Sequence, residues 1–189
     1  STDGTNWSDS VVVSVAKGAT LGDKVQYRAD EGYKFDSVTA STVIKKIVAS
    51  AVNTAAIDDA GNLYIAGDNS RGQLARKLLS YELGKDPVLT KVSTSAKTVD
   101  VALGTNHIVV LDENGDVWTA GCNQYGALGI DENAGRYWAG TEITTLKKVT
   151  VGDGSVKIKA VAAGQYHSIL IDENGGVWTA EITSEILRP

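Results

Sequence analysis

The feature that most constrains this chain is a stretch that it spells out more than once. Residues 99–129 read VDVALGTNHIVVLDENGDVWTAGCNQYGALG, and residues 161–180 follow the same template as VAAGQYHSILIDENGGVWTA. His107 recurs as His167 and Gly115 as Gly175. A worn copy lies upstream at residues 47–74, IVASAVNTAAIDDAGNLYIAGDNSRGQL, where Gly61 stands for Gly115 and Asn53 takes the histidine place. Self-similarity at this period is the mark of a repeat architecture, and it has to be settled before any residue is given a role.

Each unit reads as two short strands and a long return. Val101, Leu103 and Ile108 to Leu111 are β-branched or aliphatic, and Val117-Trp118 resume the pattern before Gly121 breaks it. Between them, Asp112-Glu113-Asn114-Gly115 is a turn, since Asp and Asn bond their own backbone and Gly tolerates positive φ. Two strands and a return suit a propeller blade better than a solenoid coil.

The ordered set Gly104, His107, Leu111, Gly115, Val117, Trp118, Gly121, Asn123, Gly126, Leu128 and Gly129 resembles the regulator-of-chromosome-condensation repeat. The resemblance runs from about Ile47 to Ala180. It implies a β-propeller, usually of about seven blades. The expected fold is therefore all-β: a partial β-propeller of about three repeats, at about 47–98, 99–155 and 156–189, after an N-terminal β-rich segment, 1–46.

Ser1 to Ser10 are polar and read as a leader. Val11–Val15 and Lys24–Ala29 read as strands. The string GATLGDKVQYRADEGYKF (18–35) resembles small β-rich modules of bacterial surface proteins, although Val38 stands where such modules carry Trp; the alternative is that these strands join the first blade. After Leu74, residues Ala75 to Gly84 are expected to form a short helical turn, and Pro87 to open an outer strand at Val88–Val92. Ile130–Thr145 reads as an exposed loop and Lys147–Val151 as a strand. Past Ala180 the glycine pattern is lost, but Ile182, Ile186 and Leu187 are apolar. Three units cannot close a ring. The open edges are expected to be covered by Val11–Val15 and the tail, or by self-association of two copies.

With 18 Lys and Arg against 23 Asp and Glu, the net charge is −5, which argues against a nucleic-acid or anionic-membrane surface. No apolar run is long enough to span a bilayer, so membrane insertion is not expected. Cys122 is the one cysteine, so no internal disulfide can form. The chain starts at Ser1 and holds no methionine, so we expect an excised piece, in which the absence of a signal peptide carries no weight.

No catalytic, cofactor-binding or metal-ligating residue is expected. His107 and His167 sit at matched places with no ligand partner at metal spacing; each is expected to be a buried imidazole bonded to a backbone carbonyl. Ser168 beside His167 makes no nucleophile–base pair, because adjacent strand residues face opposite sides. Asp112, Glu113, Asp172 and Glu173 belong to turns and lack the spacing of a calcium loop. Trp118, Trp178 and Tyr64 recur with the repeat and read as blade core.

The residues that vary within the fixed frame are the candidates for partner contact. Arg71 and Tyr125 occupy matched loop positions, and Tyr81 lies in the first connector. Arg136, Tyr137 and Trp138 lie in the second connector and have the composition of an interface hot spot; the alternative is that the rings fold back over the blade edge. The expected function is a non-enzymatic protein-binding or scaffold module of a bacterial surface or secreted protein. Its rivals are a carbohydrate-active enzyme fragment, which needs two carboxylates across one cleft, and a purely structural stalk segment. Guanine-nucleotide exchange is not carried over, since nothing in the chain matches a motif for it.

Overall fold

The protein is described by a computed structural model covering residues 43–77, 85–131, 134 and 142–180. Its regular structure there is all β-strand, in three antiparallel sheets. Strands β1 (Ile44–Ala49), β2 (Asn53–Asp58), β3 (Leu63–Asp68) and β4 (Lys85–Val92) form the first sheet in sequence order. Strands β5 (Thr98–Leu103), β6 (His107–Asp112), β7 (Val117–Gly121) and β8 (Ile143–Lys148) form the second. In the third, β10 (Ser168–Asp172) lies between β9 (Ile158–Ala163) and β11 (Val177–Ala180). Each sheet is an up-and-down meander, one blade of a propeller.

The turns form where the sequence places them. Gly115 and Gly175 have φ of 75° and 91°, the left-handed region that a Cβ disfavours. The Gly115 N–H donates to the Asp112 carbonyl at 3.0 Å and the Gly175 N–H to that of Asp172 at 3.1 Å, so each hairpin closes in the same way.

Burial periodicity then stacks the blades. Every residue of β6 is buried. Ile108 and Val110 face blade 1, where they join Ala55, Ile57, Leu63 and Ile65. Val109 and Leu111 face blade 3, where they meet Ile158 and Leu170. A strand covered on both faces needs an unbroken apolar run, and Ile108 to Leu111 supplies it. In β10 the burial alternates instead: Ser168, Leu170 and Asp172 are buried while Ile169 and Ile171 are only partly so. Blade 3 is covered on the face it turns to blade 2. Its other face carries Ile169, Ile171 and an exposed Val177, where blade 2 has the buried Val109, Leu111 and Val117.

Three local expectations change. Strand β8 spans Ile143–Lys148, four residues before the expected start, because Gly121 pairs with Ile143 across a register shift and draws the Thr-rich segment into the ladder. Strand β4 starts at Lys85 and runs through Pro87, which an edge strand tolerates because its outer N–H needs no ladder partner. The helical turn expected from Ala75 does not begin there, since Ala75 has φ of 53°. Residues 78–84 lie outside the described part, as do Val11–Val15, the rest of segment 1–42 and the tail 181–189.

Candidate functional site

The repeat fixes two kinds of end on each blade. At the turn end, one aspartate organises the hairpin. The Asp112 Oδ1 accepts from the N–H groups of Asn114 and Asp116, and its Oδ2 accepts from the Trp118 indole at 2.9 Å. Asp172 repeats this with Asn174, Gly176 and Trp178. In blade 1, Asp58 accepts from the Asn62 N–H and side chain and from the Tyr64 hydroxyl. The repeated carboxylates are thus turn acceptors, as their sequence context implies. Hydrogen bonds from the Trp178 indole and the Gly176 N–H hold the Asp172 carboxyl below the ordinary carboxylate range. The recurring aromatics are half-buried and tie their polar edges to the turn, and the rings of Trp118 and Trp178 pack on the seams.

Charge is organised across the seam at the same end. Asp116 accepts from Lys148 at 2.6 Å and from Lys157 of the blade 3 connector at 2.8 Å, and these two ammonium groups hold its carboxyl below the ordinary value.

At the loop end, Gly104 and Gly164 each lie under an imidazole. A Cβ on Gly104 would stand 2.2 Å from the His107 ring, and one on Gly164 equally close to the His167 ring. His107 is 2 % exposed, and its Nε2 lies 3.1 Å from the Ser168 Oγ. The Ser168 hydroxyl donates to the Ala127 carbonyl at 2.6 Å, so Nε2 is the donor to serine. Across the seam the imidazole thus reaches the Ala127 carbonyl through a hydroxyl. Ser168 does meet an imidazole, but that of the preceding repeat, across the blade 2–blade 3 seam. Both groups are buried, so the pair joins blades and offers no open nucleophile. Burial, seconded by the nearby His167, pushes the His107 pKa down to about 4, and a hydrogen bond with the His167 backbone opposes this.

Arg71 and Tyr125 are held at this end by one frame. The Asn69 Oδ1 accepts from the Leu74 N–H and its Nδ2 donates to the Arg76 carbonyl, at 2.8 and 2.9 Å. Asn123 makes the same pair with Leu128 and Ile130, at 3.0 and 2.7 Å. Both candidates lean on the next blade. The Arg71 Nη1 lies 3.6 Å from the Glu142 Oε1, and the Tyr125 ring lies 4.5 Å from that of Tyr166. Tyr166 is 40 % exposed and extends the Tyr125 surface. Sequence reasoning passed over it; its signal is an aromatic where the preceding repeat has Asn106. Tyr81, Arg136, Tyr137 and Trp138 lie outside the described residues. Cys122 is half-buried, with its N–H on the Asn106 carbonyl.

The Regulator of chromosome condensation (RCC1) repeat matches the chain at residues 98–127 and again at 114–171. The chain carries regulator-of-chromosome-condensation repeats. It is 31% identical over 118 residues to the Regulator of chromosome condensation of Drosophila melanogaster, covering 62% of this chain and 20% of that protein. It is 27% identical over 155 residues to the Secretion-regulating guanine nucleotide exchange factor of Bos taurus, covering 78% of this chain and 31% of that protein. Among solved structures, Prp20p from Saccharomyces cerevisiae superposes with a TM-score of 0.62 at 23% identity, over 78% of this chain and 32% of that one. The propeller blades of the repeat family are thus the fold of the described residues, and this chain spans less than a third of the length of each of these relatives. Within the repeat, the Gly–His pair and the Asp–Trp pair are the frame, and the residue two places after the loop Asn is the variable position.

Proposed function

We propose that this chain is a non-enzymatic protein-binding module whose partner sits on the loop end of the blades. One observation carries the reading. Asn69 and Asn123 hold identical loops by the same two hydrogen bonds, yet the residue each presents is Arg71 in one and Tyr125 in the other. A constant frame with changing polar and aromatic side chains is how a rigid scaffold displays a recognition surface. Arg71, Tyr125 and Tyr166 form its described part, and Tyr81, Arg136, Tyr137 and Trp138 are its proposed extension.

Two relatives carry the name guanine nucleotide exchange factor, so a guanine-nucleotide-binding protein is the first partner class to test. Replacing Arg71, Tyr125 and Tyr166 together by Ala should abolish binding in solution with little change in melting temperature. Binding that survives these changes, and also survives Ala at Tyr137 and Trp138, overturns the reading. The secreted or cell-surface setting belongs to the same proposal, supported by the acidic balance and the polar leader; fractionation of the source cells tests it. Self-association is a second reading, favoured by Ile169, Ile171 and Val177 on the outer face of blade 3; sedimentation across a concentration series tests it.

A further inference from the structure

A cavity of about 330 Å³ lies at the seam between blades 1 and 2. The return segment of blade 1 lines it with Ala75 and Arg76, the blade 1–blade 2 connector with Ser93 to Ala96, and blade 2 with Thr98, Val110, Asp112 and Trp118. Two residues of this lining each carry a buried polar atom that makes no hydrogen bond, the Arg76 Nη1 and the Thr98 Oγ1. Thr98 is 3 % exposed. Arg76 is anchored by its other nitrogen, which donates to the Ile65 carbonyl at 3.0 Å and to the Asp86 Oδ2 at 2.7 Å. One edge of the guanidinium is thus fixed in place and the other is left unused.

The next seam shows that the repeat does not require this arrangement. Asn123 bonds the carbonyl of Ile130 just as Asn69 bonds that of Arg76, and Ile158 pairs with Asp172 just as Thr98 pairs with Asp112. Isoleucines stand at both equivalent positions, and Ile158 is packed in the core of that seam. A buried donor without a partner destabilises a fold, so two of them on residues of one cavity wall need a reason. The backbone beside them adds a third departure. Ala75 holds a left-handed φ of 53° where the other repeat has Gly129, and strained residues cluster at binding sites.

We propose that this cavity binds a carboxylate group, received by the Arg76 Nη1 and the Thr98 hydroxyl. Both orphan groups can donate, and a guanidinium edge matches a carboxylate. Lys91 lies on the same lining and adds positive charge. Asp112, the one carboxylate among the described residues of the wall, already accepts from three donors. Val92, Val110, Leu146 and the Trp118 ring receive the apolar body behind the carboxylate. The carboxylate is supplied either by a free small acid or by the acidic side chain of a protein partner.

The test uses the full chain, ¹⁵N-labelled, and follows the Trp118 indole N–H, whose Asp112 bond borders the cavity. The probes are benzoate, its neutral isostere benzamide, and the capped peptides acetyl-Gly-Glu-Gly-amide and acetyl-Gly-Gln-Gly-amide. Benzoate should shift the Trp118 resonance with a Kd in about the millimolar range, and benzamide should bind at least about tenfold more weakly. Thr98→Val keeps the shape and the Arg76–Asp86 pair, so it should still fold, and it should weaken benzoate about tenfold. A Glu peptide that competes with benzoate while the Gln peptide does not assigns the site to a partner side chain; benzoate alone assigns it to a free acid. Absence of benzoate binding, equal binding of benzamide, or unchanged affinity in Thr98→Val overturns the proposal.

Discussion

The two seams between the blades use one backbone frame and fill it differently. At the seam of blades 1 and 2, Ile108 stands at the position of Ser168, and the contact is a continuous apolar cluster. Asn53 there keeps to its own blade, its Nδ2 donating to the Asp68 carbonyl at 2.7 Å while its buried Oδ1 makes no bond. At the seam of blades 2 and 3, His107 reaches across to Ser168, and Ser168 turns back to Ala127. The polar positions are exchanged along the seam. The first seam is apolar near the loop end and carries its orphaned Arg76 and Thr98 by the return; the second has its polar line near the loop end and isoleucines by the return. Repetition therefore fixes geometry, while the chemistry at each seam is free to differ.

The sharpest break between the seams is at Gly104, whose counterpart in blade 1 is Ser50. A Cβ at Gly104 would stand 2.2 Å from the His107 ring and 2.8 Å from the Gly164 carbonyl. Gly104→Ala should cost about 3–4 kcal/mol, since neither the buried ring nor the backbone of the next blade can give way. Ser50→Ala should cost less than about 1 kcal/mol, because the shorter Asn53 leaves the space free. Urea unfolding of the two variants measures both, and equal losses would mean that the Gly–His pair does not distinguish the seams.

The second difference is in pH. His107 is neutral in the fold with a pKa of about 4, and an unfolded histidine titrates near 6.5. The stability this provides is complete above pH about 6.5 and is lost as pH falls toward 4, by about 3 kcal/mol in all and about 2 kcal/mol by pH 5. The aspartates whose carboxyls are held low, Asp58, Asp116, Asp153 and Asp172, lose their contributions only at lower pH. Unfolding free energies at pH 7.5 and 5 should therefore differ, and His107→Gln should remove most of that difference. An unchanged slope in the variant would place the titration elsewhere.

The repeat, the hairpin glycines and the apolar strand Ile108 to Leu111 are legible locally, because a period and a turn are properties of neighbouring residues; the cover on both faces of that strand comes only from the stacked blades. The start of β8 is not, since Thr144 and Thr145 join a strand only because Gly121 of β7 pairs with Ile143. The His107–Ser168 contact is 61 residues apart in sequence and exists only once two blades are stacked. Its trace is a serine at the place where the preceding repeat has Ile108. Arg71 and Tyr125 were legible as varying loop residues, but not the neighbours they lean on, Glu142 and Tyr166, which belong to the next blade.

Thr98→Val tests whether the polar wall of the first seam is a cost to the fold. The hydroxyl is buried and makes no hydrogen bond, and valine has nearly its shape. Removing it should raise the unfolding free energy by about 1 kcal/mol, toward the value of an apolar seam. A loss of similar size would show that the hydroxyl is satisfied in the free protein.

The smallest effect is at the other end of the same wall. Ala75 is the one non-glycine residue among those described with positive φ, and its counterpart Gly129 has φ of 64°. A left-handed Ala costs about 1–2 kcal/mol relative to glycine, while glycine gives back about 0.5–1 kcal/mol by loosening the unfolded chain. Ala75 is also 8 % exposed, so its methyl group contributes some packing to the first seam. The balance for Ala75→Gly is a gain of about 0.5 kcal/mol, and for Gly129→Ala a loss of about 1 kcal/mol. In Gly129→Ala the new methyl would sit 3.2 Å from Val149 and 3.4 Å from Ala180, close enough to add crowding to the backbone cost. Opposite signs for the two substitutions at one repeat position, measured in the same urea titration, are what a strained Ala75 requires. Two losses would mean that the first seam depends on that methyl group more than its backbone resists it.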